Sequence, residues 1–289
     1  MAAESRRLLR RTVIGLVLLI GVAYAAATVR LMLQENELIF RTAVARADSK
    51  PSFGYEQIDL PRTDGARQFA WIMRNGSRPA NGDDARERWV LYLHGNASTV
   101  ASRMNVAHYT RLHELGLHVL APEYRGYNGL DGVPSEASVQ SDARAGYEYL
   151  RSQLHVPADQ LVIYGWSLGA AVAVQLASQV EAGAVVLEGA PASVVDIGQQ
   201  RYPFFPVRWI IRNPFNAIER VAAIRAPLLF LHSSEDTIIP FSEGRRLFDA
   251  APQPKKFVEV RGGHIEASEM DREVFYGAIR DFLAGFPPR

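Results

Sequence analysis

A serine set between two glycines is the strongest chemical signal in the sequence. Gly165, Ser167 and Gly169 form a G-x-S-x-G motif, which follows an apolar run at 161–164 that predicts a strand and precedes a predicted helix at 168–180. The sharp turn from strand to helix crowds the backbone, so its neighbours must be glycine. The hydroxyl then stands clear at a helix N-terminus, where backbone N–H groups favour developing negative charge. We interpret Ser167 as a nucleophile; the alternative is a plain tight turn.

A serine hydroxyl is a weak nucleophile and needs a base. Of the seven histidines, His264 is best placed, because two glycines precede it in a loop between a predicted strand at 256–260 and the last predicted helix at 267–284. We predict that His264 is the base. Four other histidines fall in or beside predicted helices and strands and are interpreted as solvated or structural: His108, His113, His118 and His155.

The base in turn needs an acid that holds its tautomer and stabilises the imidazolium. Asp236 follows a predicted strand at 227–231, and the order Ser, Asp, His along the chain is the one found in enzymes with this strand-to-helix turn. We predict Asp236 as the acid. Its neighbour Glu235, Glu188 after the predicted strand at 184–187, and Asp196 remain alternatives.

Two backbone N–H groups are predicted to bind the oxyanion. In enzymes with this turn, one donor comes from the residue after the nucleophile and the other from a loop that follows an earlier strand. Here these are Leu168 and Asn96, the latter in the loop after the predicted strand at 89–93. Each such donor stabilises the transition state by roughly 3 kcal/mol.

Short, unbroken apolar segments alternate with amphipathic ones along most of the chain. This alternation predicts an α/β fold with a mostly parallel twisted sheet that helices cover on both faces. In such sheets ligands bind at the carboxyl ends of the strands, which is where the candidate residues lie. The remaining predictions are strands at 55–60, 67–73 and 117–121, a turn at Thr63-Asp64-Gly65, a polar loop at 75–88, and helices at 100–115, 135–154 (with Ser135 as N-cap) and 242–250.

Residues 190–225 interrupt this alternation with a long, aromatic and proline-punctuated segment. One interpretation is a packed connection. The other is a small cap over the active site, since long insertions in compact domains are often functional.

The N-terminus differs from the rest of the chain. A flank at 1–11 carries four arginines, and an uncharged run at 12–29 follows, long enough for about 27 Å of helix. We predict a single-pass transmembrane anchor at 12–29, a stalk at 30–50 and one domain at 51–289. The basic flank should stay in the cytoplasm, which places the domain on the opposite, periplasmic or extracytoplasmic side. The alternatives are a cleaved signal peptide and a buried core helix.

Composition narrows the classes of function. A formal net charge of +1 gives no reason to expect a nucleic-acid partner. The chain has no cysteine, which excludes disulfides, thiolate metal sites and a cysteine nucleophile. It also lacks H-E-x-x-H, phosphate-loop and G-x-G-x-x-G motifs, so neither metal nor cofactor is expected. The oligomeric state stays open.

Several motifs together resemble the membrane-anchored α/β-hydrolase-domain proteins, over residues 38–286. The resemblance implies the α/β-hydrolase fold, a Ser167–Asp236–His264 triad, and an ester, thioester or amide substrate. One departure is the loop at 128–132, which borders the expected site. The motifs that carry the resemblance are His94-Gly-Asn-Ala, Tyr124-Arg-Gly-Tyr, Pro134-Ser-Glu, Gly165-Trp-Ser-Leu-Gly, Asp236-Thr-Ile-Ile-Pro and Gly263-His264.

The sequence therefore predicts a serine hydrolase that cleaves an ester or thioester bond through an acyl-enzyme, with a small-molecule or lipid-like ester as substrate. Two other functions remain open. One is a serine peptidase or amidase that uses the same triad, and the other is a catalytically silent, membrane-tethered binding protein.

Overall fold

Eight strands form a single sheet in the computed structural model, which describes residues 2–62, 65–76 and 87–288. The strand order is β1-β2-β4-β3-β5-β6-β7-β8, where β3 to β8 pair in parallel and β2 runs antiparallel to both its neighbours. The predicted mostly parallel sheet is thus confirmed. The strands are β1 Glu56–Asp59, β2 Phe69–Met73, β3 Trp89–Leu93, β4 His118–Pro122, β5 Leu161–Trp166, β6 Ala184–Glu188, β7 Leu228–Ser233 and β8 Lys255–Val260.

Nine α-helices lie within the described residues. Ser135 caps α3 as expected, since its hydroxyl accepts a hydrogen bond from the backbone N–H of Ser138. That helix ends at Glu148 and continues as a π-helical turn, and the last predicted helix is broken at Asp271. The helices are α1 Ala2–Ile39, α2 Arg103–Glu114, α3 Glu136–Glu148, α4 Leu168–Ala177, α5 Val194–Arg201, α6 Val207–Ile210, α7 Phe241–Ala250, α8 Ala267–Met270 and α9 Arg272–Gly285.

Apolar side chains cover the sheet on both faces. Helices α3, α4 and α7 contribute to the core on one face, and α2 and α9 to the core on the other. Every residue of the five central strands from β3 to β7 is buried in consequence. This explains why these strands read as continuous apolar runs rather than as alternating ones.

The register of the sheet aligns the carboxyl ends of its strands. Leu93 at the end of β3 pairs with Gly165, and Trp166 at the end of β5 pairs with Glu188 of β6. On the β8 side of the sheet, the last residues of β7 and β8, Ser233 and Val260, pair with each other. The loops that follow these strands therefore meet at one edge.

The segment at 190–225 contains α5 and α6, with two short 3₁₀ turns at Ala217–Glu219 and Val221–Ala223. Side chains from both helices line a cavity that also reaches Ser167. Residues 190–225, which we call the cap, thus form part of the wall of this cavity.

Helix α1 is long and apolar enough to cross a membrane, and none of its most apolar stretch is buried against the rest of the chain. The expected stalk at 30–50 is not separate from the domain. Residues 30–39 contain no glycine or proline, so the helix continues to Ile39, and Phe40 packs in the core with 1% of its surface exposed. The predicted turn at Thr63-Asp64 and the middle of the predicted loop at 75–88 lie outside the described residues.

Candidate active site

Ser167 sits at a backbone turn that only its glycine neighbours permit. Its φ of 56° and ψ of −122° fall in a sparsely populated region. A Cβ on Gly165 would lie 2.3 Å from the carbonyl oxygen of Gly169, and one on Gly169 would lie 2.1 Å from that of Leu93. The backbone N–H of Ser167 donates to the carbonyl of Glu188 at 2.8 Å. The packed strand and helix hold this strained turn in place.

The structure brings the three predicted triad residues together. His264 Nε2 lies 2.8 Å from Ser167 Oγ, and His264 Nδ1 lies 2.5 Å from Asp236 Oδ2. All three residues are buried. In this arrangement the imidazole can take the proton of the hydroxyl while the carboxylate fixes the orientation of the ring.

The surroundings of Asp236 keep its carboxyl group ionised. Burial alone would raise its pKa, but hydrogen bonds from His232, from His264 and from the backbone outweigh burial and hold the pKa of Asp236 well below its usual value. The backbone N–H groups of Ile238 and Ile239 both donate to Oδ1 at 2.8 Å. An ionised Asp236 carboxylate would stabilise an imidazolium at His264.

The alternative acids do not reach His264. Glu188 Oε2 accepts instead from His108 Nε2 at 2.9 Å and from the Tyr164 hydroxyl at 2.5 Å. Glu235 is exposed, and Asp196 pairs with two arginines, Arg208 and Arg246, each at 2.7 Å. Asp236 is thus the one predicted acid that contacts the predicted base.

Two residues that no motif marks support the site. Glu123, fully buried, lies 2.9 Å from His94 Nε2 and accepts from the backbone N–H of Val100 at 3.1 Å, which ties down the loop after β3. Gly189 has a φ of 53°, and a Cβ there would come within 3.0 Å of the His264 ring. In the sequence, the close approach of Gly189 to His264 is indicated only by the position of this glycine directly after Glu188, the last residue of β6.

Asn96 and Leu168 border the same cavity as Ser167. Within the described parts of the chain, neither of their backbone N–H groups has a hydrogen-bond acceptor. The loop that holds Asn96 lies against the nucleophile turn, since a Cβ on Gly95 would lie 3.2 Å from Ser167 Cβ. Two free donors beside one hydroxyl suit the binding of an oxyanion.

The loop at Asn96 is hydrogen-bonded to the end of α1, and no sequence motif indicates this contact. The side-chain amide of Asn96 donates to the carbonyl of Ile39 at 2.8 Å. The backbone N–H of Ala97 donates to the carbonyl of Phe40 at 3.0 Å, and the hydroxyl of Tyr127 donates to the same carbonyl at 2.6 Å. The end of the N-terminal helix therefore takes part in building the site.

A cavity of about 590 Å³ opens beside Ser167. Its wall combines four parts of the chain, namely the end of α1, the nucleophile turn with the Asn96 loop, the cap, and the loop after β7. Most of the lining is apolar, including Leu31, Met32, Ile39, Leu168, Val194, Ile197, Val207, Ile210, Ile211, Ile238 and Ile239. Among the described residues, no group of three or more His, Asp or Glu side chains could hold a metal ion.

Comparison with known proteins agrees with this geometry. Residues 90–283, which include all three triad positions, match the alpha/beta hydrolase family. The uncharacterized protein Rv2307c of Mycobacterium tuberculosis is 36% identical over 256 residues, which cover 86% of this chain and 87% of that protein. The lysophosphatidylserine lipase ABHD12 of Danio rerio is 33% identical over 185 residues, 57% of this chain and 48% of that one.

A likeness to solved structures extends the match to the fold. The Pyrococcus furiosus esterase Pf2001 has a TM-score of 0.68 and 18% identity, and the match covers 86% of this chain and 99% of that one. The shared sheet, the strand-to-helix turn at its edge and the match over most of the sequence lead to one conclusion. The chain belongs to the alpha/beta hydrolase family.

Proposed function

We propose that this protein is a membrane-anchored serine hydrolase that cleaves the ester bond of a substrate with a hydrophobic acyl chain. The observation that carries the proposal is the unbroken contact from Asp236 through His264 to Ser167, at 2.5 and 2.8 Å, beside an apolar cavity. Thioesters fit the same chemistry.

The first half of the reaction forms an acyl-enzyme. Ser167 Oγ attacks the carbonyl carbon as its proton passes to His264 Nε2, and Asp236 stabilises the resulting imidazolium. The carbonyl oxygen becomes an oxyanion, to which the N–H groups of Asn96 and Leu168 donate. When the tetrahedral intermediate collapses, the bond to the leaving oxygen breaks, and that oxygen takes the proton from His264 Nε2.

The second half releases the acid. A water molecule gives its proton to His264 Nε2 and attacks the acyl carbon, which forms a second oxyanion at the same two donors. Its collapse breaks the bond to Ser167 Oγ, which recovers its proton from His264. The free enzyme is restored and the carboxylic acid leaves.

The cavity supports an ester with an apolar acyl group. Its volume falls within the range of roughly 300–1,000 Å³ that is usual for small-molecule sites. Cap residues Val194, Ile197 and Ile210 face it with apolar side chains. A relative named as a lysophosphatidylserine lipase and a structural neighbour named as an esterase favour an ester over a peptide bond.

Helix α1 supplies the membrane anchor in this proposal. The residues of its uncharged run at 12–29 are exposed apart from the half-buried Thr28, and arginines precede the run on the N-terminal side. The excess of positive charge there favours an N-terminus in the cytoplasm and a catalytic domain on the other side of the membrane.

Hydrolysis of p-nitrophenyl esters of graded acyl length by the full chain in detergent micelles tests the proposal. We expect turnover by the wild type, with a preference for chains longer than acetyl. Ser167→Ala should lower kcat by about 10⁶-fold, to below detection. Ser178→Ala, at the other end of α4, is the matched control and should keep wild-type turnover. Undiminished turnover by Ser167→Ala would refute the proposed nucleophile, and turnover of peptide substrates alone would refute the proposed ester specificity.

A further inference from the structure

The cap carries a cluster of aromatic side chains that the catalytic chemistry does not use. We propose that this aromatic tip, formed by Phe204, Phe205 and Trp209, inserts into the same membrane that α1 crosses, and that the cavity receives the acyl chain of its substrate directly from that leaflet. This inference rests on the proposed function for the anchor and for the site.

Two of the three residues of the aromatic tip are largely exposed, and the third, Phe205, is half-buried. Phe204 has 85% and Trp209 has 89% of its surface exposed, although the three other tryptophans of the chain are buried with 4–6% exposed. Neither Phe204 nor Trp209 lines the cavity, so neither contacts the proposed substrate site. Large apolar side chains left exposed within one short segment mark a surface that another apolar phase covers.

Direct contacts join the aromatic tip to the membrane helix. The hydroxyl of Tyr24 on α1 donates to the carbonyl of Phe204 at 2.8 Å. Its ring stacks on Phe205, with centroids 5.7 Å apart and an interplanar angle of 6°. Tyr24 belongs to the uncharged run at 12–29, which is the part of α1 predicted to lie in the bilayer. The aromatic tip therefore sits beside the membrane segment and not above it.

The depth of this contact suits interfacial insertion. Tyr24 precedes Arg30, the first charged residue after the run, by six positions, or about 9 Å along the helix. Elements that lie in the membrane interface bury their apolar face by about 5–10 Å. Further along α1, the Arg212 guanidinium donates to the carbonyl of Met32 at 3.1 Å, about 12 Å beyond Tyr24. The aromatic rings thus lie deeper along α1 than Arg30 and Arg212, and Tyr and Trp are the residues enriched at membrane interfaces.

The cavity extends from Leu31 and Met32, near the end of the uncharged run of α1, to Ser167. Leu31 and Met32 of α1 form one wall, and Tyr202 and Val207 of the cap form the other. Leu31 lies about 10 Å along the helix from Tyr24. An acyl chain in the leaflet can therefore pass between α1 and the cap without exposing its methylene groups to water.

Tryptophan fluorescence tests the insertion itself. The full chain is reconstituted into vesicles of phosphatidylcholine that carry bromine on the acyl chains, and into unbrominated vesicles for comparison. Because Trp71, Trp89 and Trp166 are buried within the domain, quenching by bromine reports mainly on Trp209. We expect lower emission in the brominated vesicles and no such difference in Trp209→Phe. Quenching of Trp209 by aqueous iodide but not by bromolipid would overturn the proposal.

A second experiment tests the route of the substrate. Phe204→Ser combined with Trp209→Ser should leave hydrolysis of water-soluble p-nitrophenyl butyrate unchanged. Hydrolysis of a long-chain ester embedded in phosphatidylcholine vesicles should fall at least about tenfold, which corresponds to about 1.4 kcal/mol of lost membrane contact. Val274→Ser on α9, which also replaces an exposed apolar side chain, is the matched control and should change neither rate.

The outcomes separate the two proposals. If the wild type hydrolyses neither ester, the proposed function fails. If the wild type hydrolyses both and the double variant hydrolyses the embedded ester equally well, the proposed function stands and the route through the aromatic tip is wrong.

Discussion

At the scale of single residues, Asp236 offers the clearest separation of roles. Asp236→Asn keeps the shape of the side chain but removes its charge, so the tautomer of His264 that can accept the serine proton is no longer favoured. We expect kcat for ester hydrolysis to fall by about 10⁴-fold. Glu235→Gln, one position away on an exposed side chain, should leave kcat unchanged. Equal losses in both variants would argue against Asp236 as the acid.

The sequence predicted those site residues that local motifs mark. Ser167 is flanked by the glycines that its turn demands, and His264 and Asp236 each lie in a loop that follows a predicted strand. Glu123 and Gly189 escaped prediction, because their importance depends on a partner distant in sequence. Glu123 contacts His94, and Gly189 leaves room for the ring of His264. No spacing within a short segment encodes such contacts.

At the scale of elements, the strand-to-helix turn should tolerate no added carbon. A Cβ on Gly169 would lie 2.1 Å from the backbone oxygen of Leu93, which cannot move aside. We expect Gly169→Ala to lower the free energy of unfolding by about 3 kcal/mol, the upper end of the usual cost of overpacking. Gly277→Ala is the control, since a Cβ within α9 would meet only the end of the Arg280 side chain at 3.9 Å. That variant should gain about 0.5–1 kcal/mol of stability.

Thermal unfolding of the two glycine variants in the same detergent checks this prediction. An equal effect of the two substitutions would show that close packing at Gly169 is not what fixes the turn.

The junction between α1 and the cap is the second element that we expect to be sensitive. Glu35 is buried, and its carboxylate accepts from Arg212 Nε and from the backbone N–H groups of Arg212 and Asn213, each at 2.8 Å. Glu35→Ala leaves these donors without a partner, so we expect a loss of about 1–3 kcal/mol in stability. The KM for long-chain esters should rise as well, because the cavity wall loosens.

Gln34→Ala provides the comparison for this junction, since Gln34 is exposed on the neighbouring position of α1. Melting temperatures and KM values of the two variants decide the matter. If Glu35→Ala behaves like Gln34→Ala in both measurements, the carboxylate does not hold α1 to the cap.

At the scale of the whole molecule, the alternation of apolar strands and amphipathic helices was sufficient to predict the sheet. It also predicted that the candidate site lies at the carboxyl ends of the strands. The position of α1 was harder to predict. The uncharged run at 12–29 marks the segment suited to a membrane, but it does not show where the helix ends, because residues 30–39 hold no helix breaker. Its contacts with Asn96 and Arg212 join residues far apart in sequence, and only the folded chain brings them together.

The central claim is that a hydroxyl at the edge of the sheet is made reactive by two side chains distant in sequence. Covalent labelling by a fluorophosphonate tests it most directly, with the modified residue mapped by mass spectrometry of the full chain. The account predicts one phosphonate on Ser167, no label in Ser167→Ala, and strongly slowed labelling in folded His264→Ala. A label on another residue, or labelling of Ser167→Ala at the wild-type rate, would contradict it.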